Sequence, residues 1–201
     1  LEGWAPFSRE LSILAVRGRD GAVRAYPLVE NRHRDGILRL SLAPATDGPD
    51  GAIADLQAEA EGYAAGVLAE VGYVGLLAIE LFVVDGRLVA NELAPRVHNS
   101  GHWTIEGATT SQFEQHLRAV LGLPLGSAEP TGWSGMVNLM GTTPPLNDLL
   151  AVDGARVHLY GKAPRPGRKL GHVTVVDADL ERRDARCATI ERLVSQADRG
   201  D

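Results

Sequence analysis

Two acidic residues stand where a folded chain usually places apolar side chains. Glu80 interrupts VGLLAIELFVV, residues 74–84, and Glu92 follows twelve positions later in LVANELA. An isolated buried carboxylate is strongly disfavoured, so each acid either faces water at a sheet edge or has a partner. Two carboxylates on one strand face can bridge through a cation. Hard oxygen ligands with no nearby thiolate favour Mg²⁺, which takes one or two protein carboxylates and fills its shell with water and substrate phosphates. A nucleotide is thereby implied. Two edge-strand glutamates in water would give the same spacing.

Cooperation between the acids depends on the turn at Asp85-Gly86, which joins strand patterns over residues 75–84 and 87–93. A two-residue loop would set Glu80 opposite Asn91 and send Glu92 to the other face. A three-residue loop, Val84-Asp85-Gly86 with Gly86 left-handed, sets Glu80 opposite Ala90 and returns Glu92 to the shared face. The expected pair then lies on a diagonal, roughly 7 Å apart or somewhat less at Cβ.

Directly after Glu92, the loop APRVHNSGHWTIEG concentrates Arg96, His98, Asn99, Ser100 and His102. Polar groups gathered at a strand end mark a site. An arginine fork suits a small oxyanion, and a neighbouring histidine can hydrogen-bond or move a proton near neutral pH. Bicarbonate, carboxylate and phosphate all fit. His98 and His102 have the spacing of half a zinc helix, but HNSGH lacks the catalytic Glu and its Ser-Gly disfavours the helix. For His102, packing beneath the loop fits as well as catalysis does. A second loop, YGKAPRPGRKLGH, carries Lys162, Arg165, Arg168 and Lys169 between prolines and glycines. Such a stiff cationic loop suits a phosphate monoester, although a solvated charge run has the same composition. It has no array of aromatics for stacking bases.

The elements that must position these groups follow from periodicity. Residues 9–17 and 23–30 form a hairpin about Asp20-Gly21, ILRLSLAP a third strand, and residues 43–51 a loop. Ile53, Leu56, Ala60, Tyr63, Val67, Leu68 and Val71 recur at helical spacing, with Asp50 or Asp55 near the start and Gly72 beyond the end. A second helix, capped by Thr109 or Thr110, presents Phe113, Leu117, Val120 and Leu121 and stops at Gly122. GLPLGSAEPTGWSG reads as a linker, MVNLMG, RVHLYG and KLGHVTVV as short strands, and 180–194 as a closing helix. The expected class is α+β, divided near Ser127 into residues 1–126 and 127–201.

With 201 residues, 44% of them hydrophobic, the chain can bury a sizeable core. A formal charge of −6 argues against a general binder of nucleic acid or anionic membrane. The lone Cys187 excludes an intramolecular disulfide and a cysteine-rich zinc site, which fits a reducing cytoplasm. No apolar run has the length of a membrane span, and LEGWAPFSRE has no secretion-signal pattern. Because the first residue is Leu1 and not Met, the chain is expected to begin inside a longer protein.

AIELFVVDGRLVANELAPRVHNSGHWTIEGATTSQFEQHLRAVLGLPLG, together with YGKAPRPGRKLGHVT and ENRHRDGILRLSLAP, closely resembles the 5-(carboxyamino)imidazole ribonucleotide synthase family of bacterial and fungal purine synthesis. NELAPRVHNSGHW and RPGRKLGH are specific to that family, whereas two strand glutamates alone indicate only the wider ATP-grasp superfamily. The resemblance implies the second half of an ATP-grasp domain, an antiparallel sheet with packed helices, plus a small C-terminal domain mixing α and β. It implies ATP and Mg²⁺ as cofactors, and phosphorylation of bicarbonate to carboxyphosphate. Carbon dioxide is then delivered to the amine of 5-aminoimidazole ribonucleotide by a cytoplasmic homodimer.

Carried over by residue, the resemblance makes Glu80 and Glu92 the Mg²⁺ ligands, and Arg96, His98 and Asn99 the bicarbonate and carboxyl-transfer loop. Lys162, Arg168 and Lys169 match the ribonucleotide-phosphate loop. Glu2, Gly3, Trp4 and Ala5 edge the adenine, Glu10 meets the ribose, His33 is a further nucleotide contact, and Asn91 joins Glu92 in binding ATP. Proton transfer and binding of the carboxylated intermediate both fit His98. The family normally begins with a substrate-binding α/β domain and the first ATP-grasp subdomain, which carries a lysine and a glycine-rich phosphate loop. This chain resembles the C-terminal half and is expected to hold no complete ATPase site alone. Biotin carboxylases and carboxylate-amine ligases rank second, because Ala94 and APRVHN depart from the biotin carboxylase pattern. A non-catalytic nucleotide- or phosphate-binding module is the alternative from another class.

Overall fold

A computed structural model of the chain describes residues 5–48 and 51–199. Its strands form one antiparallel sheet. β1 (Arg9–Arg17) sits near one end, paired with β2 (Val23–Ala25), β3 (Val29–Arg34) and β5 (Gly75–Val84). The order continues through β4 (Ile37–Ala43), β7 (Trp133–Met140), β9 (Lys169–Asp177) and β8 (Arg156–Leu159), with β6 (Arg87–Ala94) beyond β5 at the opposite end. The strand expected over residues 23–30 is in fact two, separated at Tyr26-Pro27-Leu28. Proline has no N–H to give to a ladder, and β1 pairs β2 on one side of the gap and β3 on the other.

Alternation along β1 divides the core. Leu11, Ile13 and Ala15 face α1 (Ile53–Glu70), whose buried Leu56, Ala60, Ala64 and Leu68 recur every four residues. Leu14 and Val16 face the other way, against Trp103 and Ala119. Asp50 lies outside the described residues. Ala52 precedes α1 without a side-chain cap; the Ile53 N–H instead donates to Asp47 Oδ1 at 2.8 Å, and Asp55 occupies the first turn. Gly122 ends α3 (Gln112–Leu121) in the left-handed conformation, as expected.

The cap of α3 is Ser111 and not a threonine, since Ser111 Oγ accepts from Glu114 N–H at 3.2 Å. Its expected apolar face is also corrected: Phe113, Leu117 and Leu121 are exposed, and Gln112, Gln115 and Ala119 are buried. The buried amides are satisfied by backbone, as Gln115 exchanges hydrogen bonds with Gly126.

The sheet runs on past residue 127, because β4 pairs β7 through Leu40 with Val137 and Ala43 with Ser134. β7 begins inside the stretch expected to be linker. α5 (Leu180–Arg199) covers β7 and β9 with Cys187, Ile190 and Val194, and the short α4 (Leu146–Leu150), not expected from the sequence, packs beside it. A Cβ on Gly135 would lie 2.1 Å from Cys187 Sγ, so α5 sits this close only because that strand residue has no side chain. No helix among the described residues is long and apolar enough to cross a membrane.

Candidate active site

The two acids meet on one face of the β5–β6 hairpin by a route different from the expected one. Val84 pairs with Arg87, so the turn is the two-residue Asp85-Gly86, with φ of 50° and 75°. Positive φ at both positions is the primed hairpin turn that Asp-Gly favours. The expected three-residue loop is therefore incorrect. The extra residue lies in the strand: Leu81 pairs with Ala90, and Glu80 with Glu92. Asn91 is inserted between these rungs as a β-bulge, which opposes two residues to one. Its Nδ2 reaches Glu80 Oε2 at 3.5 Å.

Glu80 points away from α1, on the face shared by Ser12, its neighbour across β1. On that face Glu10 Oε2 lies 2.6 Å from His33 Nδ1. Asn31 links Ser12 and Ser41 by bonds of 2.9 and 2.8 Å, a buried polar row that fixes β1, β3 and β4 in register. Burial holds the Glu80 carboxyl above its ordinary range, aided by the charges of Glu92 and Glu10 and opposed by His33 and Asn91. A cation at this rung would remove that repulsion. No trio of His, Cys, Asp and Glu among the described residues converges on a metal position. A carboxylate pair nonetheless meets what Mg²⁺ asks of a protein.

The loop after β6 is held tightly. His98 is buried, with Nδ1 2.9 Å from Ser100 Oγ and Nε2 3.6 Å from Glu80 Oε1. Burial, then the Arg96 charge, lowers its pKa to about 4, so the ring is neutral at pH 7. Asn99 opens a short 3-10 turn, and neither its Oδ1 nor its Nδ2, both buried, has a protein partner among the described residues. A buried amide without a protein partner is satisfied by an ordered water or by a bound group. Arg96 is exposed and spends one N–H on the Val97 carbonyl at 3.1 Å. Ala5 and Glu10 are half-buried at the start of the described chain, and Glu2, Gly3 and Trp4 lie outside the described residues.

On the basic loop, Lys162 is exposed with Nζ 5.2 Å from the Tyr160 ring centre, and Arg168 donates to the Ala163 carbonyl at 3.2 Å. Lys169 is half-buried at the start of β9. Burial lowers its pKa, as do the charges of Lys162 and Arg96, while Glu80 opposes the shift. Lys169 thus shares a field with the acids and the Arg96 loop. Arg165 turns elsewhere, lining a groove of about 400 Å³ with Arg39, Thr142 and Asp198.

Several groups here were not identified from the sequence. His158 and His172 are cross-strand neighbours stacked at 4.5 Å, and His102 lies 5.1 Å from His172. Tyr160 O–H meets His172 Nδ1 at 2.7 Å, and Glu106 meets His158 Nε2 at 2.7 Å. The pKa of His102 is lowered to about 4, by burial and then Lys169, and that of His172 to about 3, by burial and then His102. When unfolded, both rings titrate near 6.5. Between the folded and unfolded values the unfolded chain binds more protons, so stability is full above pH about 6.5 and declines on acidification. The slope should approach ~1.4 kcal/mol per pH unit for each ring. Urea midpoints measured at about pH 7.5, 6 and 5 should fall in that order. A flat series would show that the rings titrate normally.

Comparison with known proteins places this geometry in context. The ATP-grasp domain family matches residues 1–113, and the phosphoribosylaminoimidazole carboxylase C-terminal domain matches residues 134–186. N5-carboxyaminoimidazole ribonucleotide synthase of Pseudomonas aeruginosa is 55% identical over 194 residues, covering 96% of this chain and 52% of the relative. The crystal structure of N5-carboxyaminoimidazole ribonucleotide synthetase from Thermus thermophilus is 59% identical with a TM-score of 0.91, over 96% of this chain and 53% of that one. The Aspergillus clavatus synthase, solved with ADP and 5-aminoimidazole ribonucleotide, is 35% identical with a TM-score of 0.87, over 96% and 53%. The chain spans about half the length of the curated relatives it matches.

Proposed function

Given that this chain belongs to the ATP-grasp family, we propose that it supplies the C-terminal half of a ligase that carboxylates 5-aminoimidazole ribonucleotide with bicarbonate and ATP, through carboxyphosphate. The observation that carries this reading is the bulged rung, with Glu80 opposite Glu92, standing 3.6 Å from His98 of the polar loop. Glu80 and Glu92, with the Asn91 amide beside them, would hold Mg²⁺. When bound, Mg²⁺ neutralises charge on the transferring phosphoryl group.

The protein groups divide the remaining work. The Arg96 fork orients bicarbonate for attack, and the orphaned Asn99 amide meets its carboxyl oxygens. Neutral His98 exposes a nitrogen beside Glu80 for proton transfer or for binding the carboxylated product. Lys169, Lys162 and Arg168 take the ribonucleotide phosphate. Glu10, braced by His33, accepts from ribose hydroxyls, while Ala5, with Glu2, Gly3 and Trp4, edges the adenine.

Grafting this chain in place of the matching half of the Pseudomonas aeruginosa relative tests the reading. ADP release by the chimaera should require both bicarbonate and 5-aminoimidazole ribonucleotide. Arg168→Ala should raise KM for the ribonucleotide about tenfold, a lost charge-assisted bond, and leave KM for ATP unchanged. ADP release indifferent to the ribonucleotide would reject this substrate, and dependence on another amine or on biotin would move the chain to a different ATP-grasp branch.

A further inference from the structure

Gln112 is fully buried, and both ends of its carboxamide are held by the backbone of one residue. Oε1 accepts from His98 N–H at 2.9 Å, and Nε2 donates to the His98 carbonyl at 2.8 Å. The reverse orientation would set donor against donor and acceptor against acceptor, so the amide has one allowed direction. Its second N–H meets His102 Nδ1 at 2.9 Å. That ring nitrogen must therefore accept, and the proton of the neutral imidazole must sit on Nε2. A main-chain segment thereby sets the tautomer of a side chain four residues further on.

The ring plane is equally constrained. His102 lies 5.1 Å from the His172 ring and 5.5 Å from Phe113, with Tyr160 edge-on at 6.5 Å. A Cβ on Gly101 would come within 2.5 Å of Gln112 Oε1, so the chain turns this close to the amide only at a glycine. After burial itself, the Lys169 ammonium is the largest influence that disfavours a proton on His102. The ring thus stands between the two loops. Its half-buried side chain has no hydrogen bond at Nε2 among the described residues, and Nε2 is not among the buried unpartnered atoms. An oriented N–H is thus left without a protein acceptor among the described residues, in the field of the Lys169 ammonium.

Resting on the function proposed above, we infer that His102 is a fixed neutral donor whose Nε2–H binds an oxyanion of the substrate between His98 and Lys169, and that Gln112 is the residue positioning it. The shared ligand chemistry is a carboxyl or phosphoryl oxygen, which either bicarbonate or the ribonucleotide could supply. A neutral donor suits this place because a further full positive charge would be repelled by Lys169.

The test uses the 201-residue chain with ¹⁵N-labelled histidine, read by long-range ¹H–¹⁵N correlation. The free chain should show His102 protonated at Nε2 only, and Gln112→Met, confirmed folded by its amide spectrum, should show both tautomers. Bicarbonate, inorganic phosphate and 5-aminoimidazole ribonucleotide are then added separately, and whichever moves the Nε2 resonance identifies the oxyanion. His102→Gln, whose amide nitrogen can stand in for Nε2, should keep that affinity. His102→Asn, whose amide stands in for Nδ1, should weaken it about tenfold. A proton on Nδ1 in the free chain, or an Nε2 resonance unmoved by all three oxyanions, overturns the inference. Ribonucleotide binding seen by calorimetry with an unmoved Nε2 sinks this inference alone. A phosphate-sensitive Nε2 without ribonucleotide binding sinks the substrate assignment alone.

Discussion

Glu80→Gln and Glu92→Gln should each lower kcat/KM of the chimaera for ATP at least about a hundredfold, while leaving the fold intact. The expected loss, roughly 3 kcal/mol of transition-state stabilisation, is what a displaced divalent cation takes from phosphoryl transfer. For Glu80→Gln, turnover and stability should move in opposite directions. Burial and the charges of Glu92 and Glu10 hold the Glu80 carboxyl above its ordinary range, so its ionised form opposes folding near neutral pH. Glutamine relieves that opposition, and Glu80→Gln should unfold at the same or higher urea concentration than the parent. A variant that loses turnover and stability together would indicate a structural acid. Full activity in both variants would remove the carboxylate pair from the mechanism. Steady-state ADP release at several Mg²⁺ concentrations, paired with urea denaturation, supplies both readings.

Trp103→Ala should cost about 3–5 kcal/mol, the usual range for emptying a large buried aromatic site. Trp103 is fully buried on the face of the sheet that carries Glu80 and the candidate site, with its ring edge-on to Tyr26 at 6.2 Å. A Cβ on Gly107 would lie 2.8 Å from Trp103 Cε3, so the indole fills the space beneath α2 (Thr104–Gly107) completely. Little can collapse into the cavity left behind, because Tyr26 is itself tied to the Thr110 carbonyl at 2.8 Å. Trp103→Phe should cost much less, since it keeps most of the volume and deletes a buried N–H that has no partner among the described residues. Urea midpoints of the two variants decide the matter, and an alanine variant within about 1 kcal/mol of the parent would mean that the loop repacks freely.

Much of this arrangement was legible in local pattern. Helix α1 followed from apolar residues at helical spacing, and the two acids followed from their placement in apolar strands. Signals that depended on one atom or one residue were not. A bulge has no sequence mark of its own, so Asn91 could not be distinguished from a regular strand residue, and the needed offset was assigned to the turn. Ser111 and the preceding threonines are all good caps; only the geometry of Glu114 chose among them. The apolar stripe on α3 was misassigned because hydrophobic periodicity cannot show that Gln112 and Gln115 find buried backbone partners. The cluster of His102, His158 and His172 joins residues up to 70 positions apart in sequence, brought together when β8 and β9 pair beneath the loop that follows β6. Loop composition alone singled out Asn99 and Lys169; the resemblance added the roles expected of them.

The bulge at Asn91 has a meaning beyond register. With a two-residue turn, a regular hairpin would still set a single residue across from Glu80. One added residue changes the count and not the position: Asn91 and Glu92 both face the same acid, so the rung offers three oxygen-bearing side chains. On the proposed function, this raises the coordination number available to a cation without a third strand or a longer loop. Deleting Asn91 would leave a well-formed hairpin with both acids still opposed, and would lower only the denticity of the site.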